Sequence, residues 1–436
     1  MATNIRQTPL YTILPVGQQV IFTVENDNVT SLYWNVKYIA ELHIGTMPIN
    51  LSNSDDLIAT FKTTPNNAGV GIFDFQNLLE NYVGSQNRGS ASGNGSKYKG
   101  VSAYDLPYPI HLIDKFARGL NNIRYFAIQF KVEGASSQDG AVSIIPNQAA
   151  NSLLYLFFNG VLQRENYLTL GEIDSSGSLV TGNNYGFDLD ANLFYLGSST
   201  ANSKFLTNAP TTQYANIDDY GTFAFLNQIP TSATDRMDAL NFKYYKNDGT
   251  TETEQITQNW TNGGITTAHG FAPSKYLFAG VFPANLRNSS STFQAIVSAN
   301  KIEGGYYTIQ PQAQDGTLQQ IYTIYVNCPN TKGYESIRLA WLNQWGAWDY
   351  YTFTMKSVRS TSTNRTTYTQ MQGTWNDSRY KIDGFKGGKK NFRVNSTERI
   401  QVNTDFVTEA DAVWFEELVN SQDVYIIKGF DATESA

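Results

Sequence analysis

Metal ligation or nucleophilic catalysis in this 436-residue chain would fall to His43, His111, His269 and the single cysteine, Cys328. The histidines stand far apart and match no metal-ligand spacing, so each reads as a strand or loop histidine. One cysteine allows neither an internal disulfide framework nor a multi-cysteine metal site. Cys328, between Asn327 and Pro329 at a strand end, reads as a small apolar filler. Carboxylate chemistry on a sugar needs two carboxyl groups about 5–10 Å apart. Asp218 and Asp219 are adjacent and face opposite ways on a strand, and Glu416 and Glu417 fall on the polar side of a C-terminal helix. The chain has no nucleophile elbow, zinc-binding helix motif or dinucleotide fingerprint. Its GGKK at 387–390 lacks the upstream glycine of a phosphate loop. No catalytic, cofactor-binding or metal-ligating residue is assigned, no cofactor is expected, and the reading is a non-enzyme.

The densest chemistry is aromatic. LAWLNQWGAWDYYTF, residues 339–353, holds Trp341, Trp345, Trp348, Tyr350, Tyr351 and Phe353. Exposed tryptophan and tyrosine faces stack on sugars and anchor interfaces. Core packing is the alternative, with Trp341, Trp348 and Tyr350 beneath a C-terminal helix against Trp414. A tryptophan beside glycine at a hairpin tip is the one best placed to meet a partner. Trp345, Asn343, Gln344 and Gly346 are therefore interface candidates.

Stepping out to the elements, charged residues make up 16% and aromatics 14%, and the polar remainder is rich in Asn, Thr, Ser and Gly. That composition suits strands and turns better than helices. The fold class is all-β, as several β-sandwich-like domains with long loops and one or two short helices. VKYIAELHI at 36–44 alternates with period two. Asp74 caps a short helix carrying Phe75, Leu78, Leu79 and Tyr82. Hairpin turns are predicted at Asn159-Gly160, at Asn247-Asp248-Gly249 and at Asp315-Gly316. Thr408 with Asp411 resembles a capping box, giving a helix near 409–420 with Val413, Trp414, Leu418 and Phe415 inward.

Three domains are expected: 1–134, 135–265 as a loop-rich β module, and 266–436. GSQNRGSASGNGSKYKG at 84–100 has too little apolar content to offset ordering entropy, so it reads as an arm that orders on a partner. Arg88, Lys97 and Tyr98 are its interface candidates. A net charge of -7 and a pI near 5.1 argue against nucleic acid as partner. The one basic run, FKGGKKNFR at 385–393, reads as a solvated turn. The N-terminal residues do not form a secretory signal and no apolar run is long enough for membrane insertion.

ESIRLAWLNQWGAWDYYTF at 335–353, followed by RIQVNTDFVTEADAVWFEELVNSQDVYII at 399–427, resembles the C-terminal module of tailed-bacteriophage virion structural proteins. The carrying features are a hairpin of the form R-x-x-W-x-N-x-x-G-x-x-D-x-Y-x-F, from Arg338 to Phe353, and a helix ending E-E-L-x-N-S-x-x-V-Y. PVGQQVIFTVEN and LIATFKTTPNNAGVGIFDFQNLLENYV are likewise similar to sequence from environmental phage genomes. The resemblance covers roughly 1–134 and 270–430 and carries no catalytic residue. It implies a tail, baseplate or connector component in the virion, assembled in the host cytoplasm. Such a protein contacts its own copies as a homo-oligomer and other virion proteins. A host-receptor or carbohydrate-binding module of a tail fibre, with a surface glycan as partner, is the alternative.

Overall fold

A computed structural model describes residues 3–9, 11–52, 54–85, 110–113, 116–119, 121–161, 195–196, 202–227, 237–257, 272–328, 333–374, 377–382 and 387–428. The fold is all-β, with the strands among the described residues in six sheets and few, short helices. The chain divides into two compact units. The larger holds residues 1–329, 338–352 and 408–436; the smaller holds 330–337 and 353–407.

This division differs from the three domains expected. Ile123–Ala135, which was to close a first domain, pairs instead with Tyr155–Phe158, and that strand pairs in parallel with Ile13–Pro15. Backbone hydrogen bonds thus carry one sheet straight through residue 134. The same sheet continues through Trp34–Gly45 to Leu57–Thr63 at its edge. Tyr38, Ala40, Leu42 and Ile44 enter a core built around Phe22, Phe73, Phe126 and Phe130, as the alternation requires. Phe22 meets Phe75, Phe126 and Tyr155 edge to face, with centroids 5.6–6.4 Å apart. The N-cap of the short helix Gln76–Leu79 is Phe75 and not Asp74 as expected; Asp74 stands one residue before it, its Oδ1 accepting from the Gln76 N–H at 3.1 Å.

A second, larger core lies between a four-stranded sheet and a five-stranded one. The five-stranded sheet runs in the order Thr212–Ala215, Tyr322–Val326, Tyr306–Ala313, Met237–Tyr245, Thr251–Thr257. Two of its hairpins turn where expected, with Gly249 at φ +82° and Gly316 at φ +92°. Two helices not expected from the sequence, Pro283–Ser289 and Ser291–Ser298, also contribute to this core. Proline opens the first, and the Ser290 hydroxyl caps the second by accepting from the Phe293 N–H.

The aromatic peptide forms Ile337–Leu342 and Trp348–Phe353, sheet neighbours joined by a turn with Gly346 at φ +73°. The final helix, Glu409–Asn420, has both halves of the capping box between Thr408 and Asp411. Its inward face departs from expectation. Trp414 and Glu417 are buried while Val413 is 62% exposed, so Glu417 is not on the polar side. Cys328 is exposed and fills no core.

The smaller unit consists chiefly of one antiparallel ribbon, Val358–Gln370 with Gly388–Gln401. The basic run is therefore not simply a turn, because Lys389, Lys390 and Arg393 are strand residues. Every residue from 358 to 369 and from 388 to 399 is exposed.

Candidate functional site

The turn expected to meet a partner is built into the larger unit. Asn343 Oδ1 accepts from the N–H groups of Trp345 and Ala347, and its Nδ2 donates to the Leu206 carbonyl at 2.9 Å. The Tyr276 hydroxyl donates to the Trp345 carbonyl at 2.8 Å, and Asn122 Nδ2 to that of Gly346 at 3.0 Å. A Cβ on Gly346 would lie 1.6 Å from the Asn159 carbonyl oxygen. Trp345, Asn343 and Gln344 are consequently buried, correcting the expectation of an exposed tip. All three of Trp341, Trp348 and Tyr350 are buried, but only Trp341 packs against Trp414, 4.9 Å away, while Trp348 and Tyr350 belong to the larger core. Arg88, Lys97, Tyr98 and His269 lie outside the described residues.

Polar side chains buried around this hairpin form two networks. In one, Arg338 donates to the Tyr220 carbonyl at 2.7 Å and to Thr352 at 2.8 Å, and its guanidinium pairs with Asp219 at 3.3 Å. Burial lowers the Arg338 pKa and the Asp219 charge opposes it. Asp218 faces the other way, onto Arg287 at 2.8 Å, as adjacency implied, though the two lie by a turn and not in a strand. His111 shares a 2.9 Å hydrogen bond with the Tyr350 hydroxyl, and burial, then Arg338, lowers its pKa to about 3. It is a neutral, internal histidine.

In the other network Asp349 accepts from the Thr207 hydroxyl at 2.7 Å and the Trp414 indole at 2.8 Å. Glu417 accepts from Asn208. Desolvation raises both carboxyl pKa values, and Asp349 raises Glu417 further. These hydrogen bonds lie inside the protein and hold its elements together. Among the described residues no group of three or more His, Cys, Asp or Glu is placed to hold a metal ion.

Two exposed features remain. The first is the outer face of the five-stranded sheet. Tyr214, Tyr325, Tyr306 and Tyr245 come from four neighbouring strands and stand in register. Successive ring centroids are 5.5, 4.9 and 4.4 Å apart, with interplanar angles of 25°, 32° and 12°. The rings stack on one another across the strands, so the row turns edges and hydroxyls outward. Two residues along each strand comes a row of shorter or flexible side chains, Thr212, Thr323, Thr308, Lys243 and Thr253. Two further along, Gln310, Asn241 and Gln255 form an amide row, in which Asn241 and Gln255 are joined to each other and to Gln312 by hydrogen bonds of 2.8–3.0 Å while Gln310 donates to the Gln319 carbonyl. A cleft of about 570 Å³ opens over Lys243 and Thr308, between Tyr245 on one side and the amides on the other. The reading of the sequence located the hairpins but not this row. Its signal lies in KYY, YYT, IYV and QYA, and needs the register of four strands to assemble.

The second feature is the ribbon. A two-stranded hairpin has no second layer to bury a face, and such hairpins are marginal alone in water. Neither of its faces is apolar: cross-strand pairs such as Ser362–Thr397, Asn364–Asn395 and Thr366–Arg393 are polar throughout. Phe392 is the extra residue at a bulge and is 79% exposed, with Tyr368 and Val394 also exposed nearby in the ladder. The smaller unit holds 11 Lys or Arg against five Asp or Glu, a formal charge of +6. The rest of the chain, with 20 against 33, carries -13.

No family model and no curated protein matches the chain. Among solved structures it is similar to Salmonella alpha-2-macroglobulin reacted with methylamine, at 7% identity and a TM-score of 0.18 over 91% of this chain. It is likewise similar to the native conformation of Escherichia coli alpha-2-macroglobulin, at 8% identity and a TM-score of 0.19 over 93%. The chain spans about a fifth of the length of each, covering 20% in both cases. At those scores the likeness carries no argument about function.

Proposed function

We propose that this chain is a structural protein of a tailed-phage virion that assembles with copies of itself in the tail, baseplate or connector, working by contact geometry. The observation that carries the self-assembly is the ribbon. It is a long, polar, almost fully exposed two-stranded element in a unit of formal charge +6, and the remainder of the chain carries -13. A ribbon of that kind gains stability by lying on another surface, and the acidic body of a neighbouring copy complements its charge. Phe392, Tyr368 and Val394 supply apolar anchors within an otherwise polar contact. The placement in a virion rests on the resemblance of residues 335–353 and 399–427. Other virion proteins are the further partners this reading implies.

The test is molar mass in solution by light scattering across a concentration series, followed by immunolabelling of particles from the phage that encodes the chain. A discrete oligomer and label on the virion support the proposal. A monomer at every concentration together with unlabelled particles overturns it.

A further inference from the structure

The outer face of the five-stranded sheet has the form of a ligand trough, and the geometry points to an acidic linear glycan as its occupant. The cleft has Tyr245, the end of the tyrosine row, on one side, the amides Asn241, Gln255 and Gln310 on the other, and Lys243, Thr253 and Thr308 as its floor; the tyrosine row prolongs it across the strands. The trough runs across the strands, so its length is set by the strand spacing of about 4.8 Å, close to the length of one hexose in an extended chain. Rows four residues apart along a strand place the walls about 13 Å apart, wide enough for a single chain of sugar rings between them.

Both walls offer groups suited to hydroxyls. The tyrosine row presents phenolic hydroxyls at the repeat of the strands, and Tyr214 at its end is 61% exposed. Asn241 and Gln255 are held to each other and to Gln312, and Gln310 to the Gln319 carbonyl, so the amides are preorganised, and each still has donor or acceptor capacity free for a ligand. Lys243 supplies the charge. It is exposed on the floor with its ammonium 4.9 Å from the Tyr245 ring centroid, and no described carboxylate forms an ion pair with it. Glu254, beside it in sequence space across the strand pair, is turned to the opposite face, where it accepts from the Tyr244 and Ser290 hydroxyls. A carboxylate or sulfate on the sugar ring complements Lys243.

Other polymers fit less well. A peptide adding as a strand needs a free sheet edge, whereas the Tyr306–Ala313 and Met237–Tyr245 backbones at the floor are paired on both sides. Single-stranded nucleic acid is held by aromatic faces on which its bases stack, and here the tyrosine rings pack against one another with their edges outward.

This inference is independent of the assembly role, since it uses none of the ribbon. It is tested by titration calorimetry of the full chain with alginate oligosaccharides, against neutral cello-oligosaccharides as control. Binding of alginate at least tenfold tighter than the neutral chain, weakened tenfold or more by Lys243→Gln and by Tyr245→Ala, is expected. Both side chains point outward, and an unchanged unfolding midpoint verifies that each variant folds. Absence of alginate binding, equal affinity for both sugars, or variants that bind as the parent does would each overturn the proposal.

Discussion

Trp414 donates its indole N–H to Asp349 Oδ2 across 2.8 Å, joining the final helix to the strand Trp348–Phe353 through a buried carboxylate. The tilted ring contact of Trp341 with Trp414 adds area, and the hydrogen bond fixes the register of the helix on the sheet. Trp414→Phe keeps most of the area and removes the donor. It is expected to lower stability by about 2 kcal/mol, read by denaturant unfolding, because the Asp349 carboxylate then stays buried one donor short.

The same site makes stability depend on pH. Asp349 is raised to about 6 by burial, and Glu417 to about 8 by burial and then by Asp349. A carboxyl whose folded pKa lies above its unfolded value stabilises the fold while protonated. That contribution is complete below the unfolded pKa, near 4, and is lost as pH rises through the folded value. Stability is therefore expected to fall between about pH 4 and pH 8, by a few kcal/mol in order of magnitude. Glu417→Gln should remove most of the slope between pH 6 and pH 8. Urea midpoints measured across that range for parent and variant provide the check, and a slope retained in the variant would exclude Glu417 as its source.

Arg338 and Asp219 form the other buried charge pair. Removing one partner leaves an uncompensated buried charge, so Arg338→Leu alone should cost about 3–5 kcal/mol. Replacing both, with Asp219→Leu added, should cost less than that single change. A double-mutant cycle by chemical denaturation measures the difference.

Two glycines with positive φ separate backbone strain from packing. Gly249 has open space where a Cβ would stand, so Gly249→Ala should cost only the left-handed conformation, about 1–2 kcal/mol. Gly346 would place a Cβ 1.6 Å from the Asn159 carbonyl oxygen, and Gly346→Ala should cost more than about 4 kcal/mol or abolish folding. Comparing soluble yield and unfolding midpoints of the two variants reads this directly.

Features fixed by local chemistry were legible in the sequence. The capping box at Thr408 and Asp411, the turns at Gly249 and Gly316, and the alternation from Tyr38 to Ile44 each involve residues within a few positions of one another. Features fixed by distant partners were not. Trp345 is buried because Asn122, Asn159 and Tyr276 come to its turn from elsewhere in the chain, which no pattern around residue 345 encodes. Glu417 faces inward because Asn208 receives it. The tyrosine row joins residues 214, 245, 306 and 325 through strand register alone, and the boundary at 134 fails because Ile13–Pro15 pairs with Tyr155–Phe158. The ribbon was missed for another reason: Val358–Gln370 is almost entirely polar, so it lacks the apolar alternation that marks a half-buried strand.

The central claim is that the basic ribbon of one copy meets the acidic body of another. The most direct measurement is light scattering on the parent and on a variant carrying Lys389→Glu, Lys390→Glu and Arg393→Glu, each at low and at high salt. These side chains are exposed, so the larger unit keeps its fold, which circular dichroism verifies. The account predicts an oligomer for the parent that weakens as salt rises, and a monomer for the variant at every salt concentration. An oligomer of the same mass and salt response in the variant would contradict it.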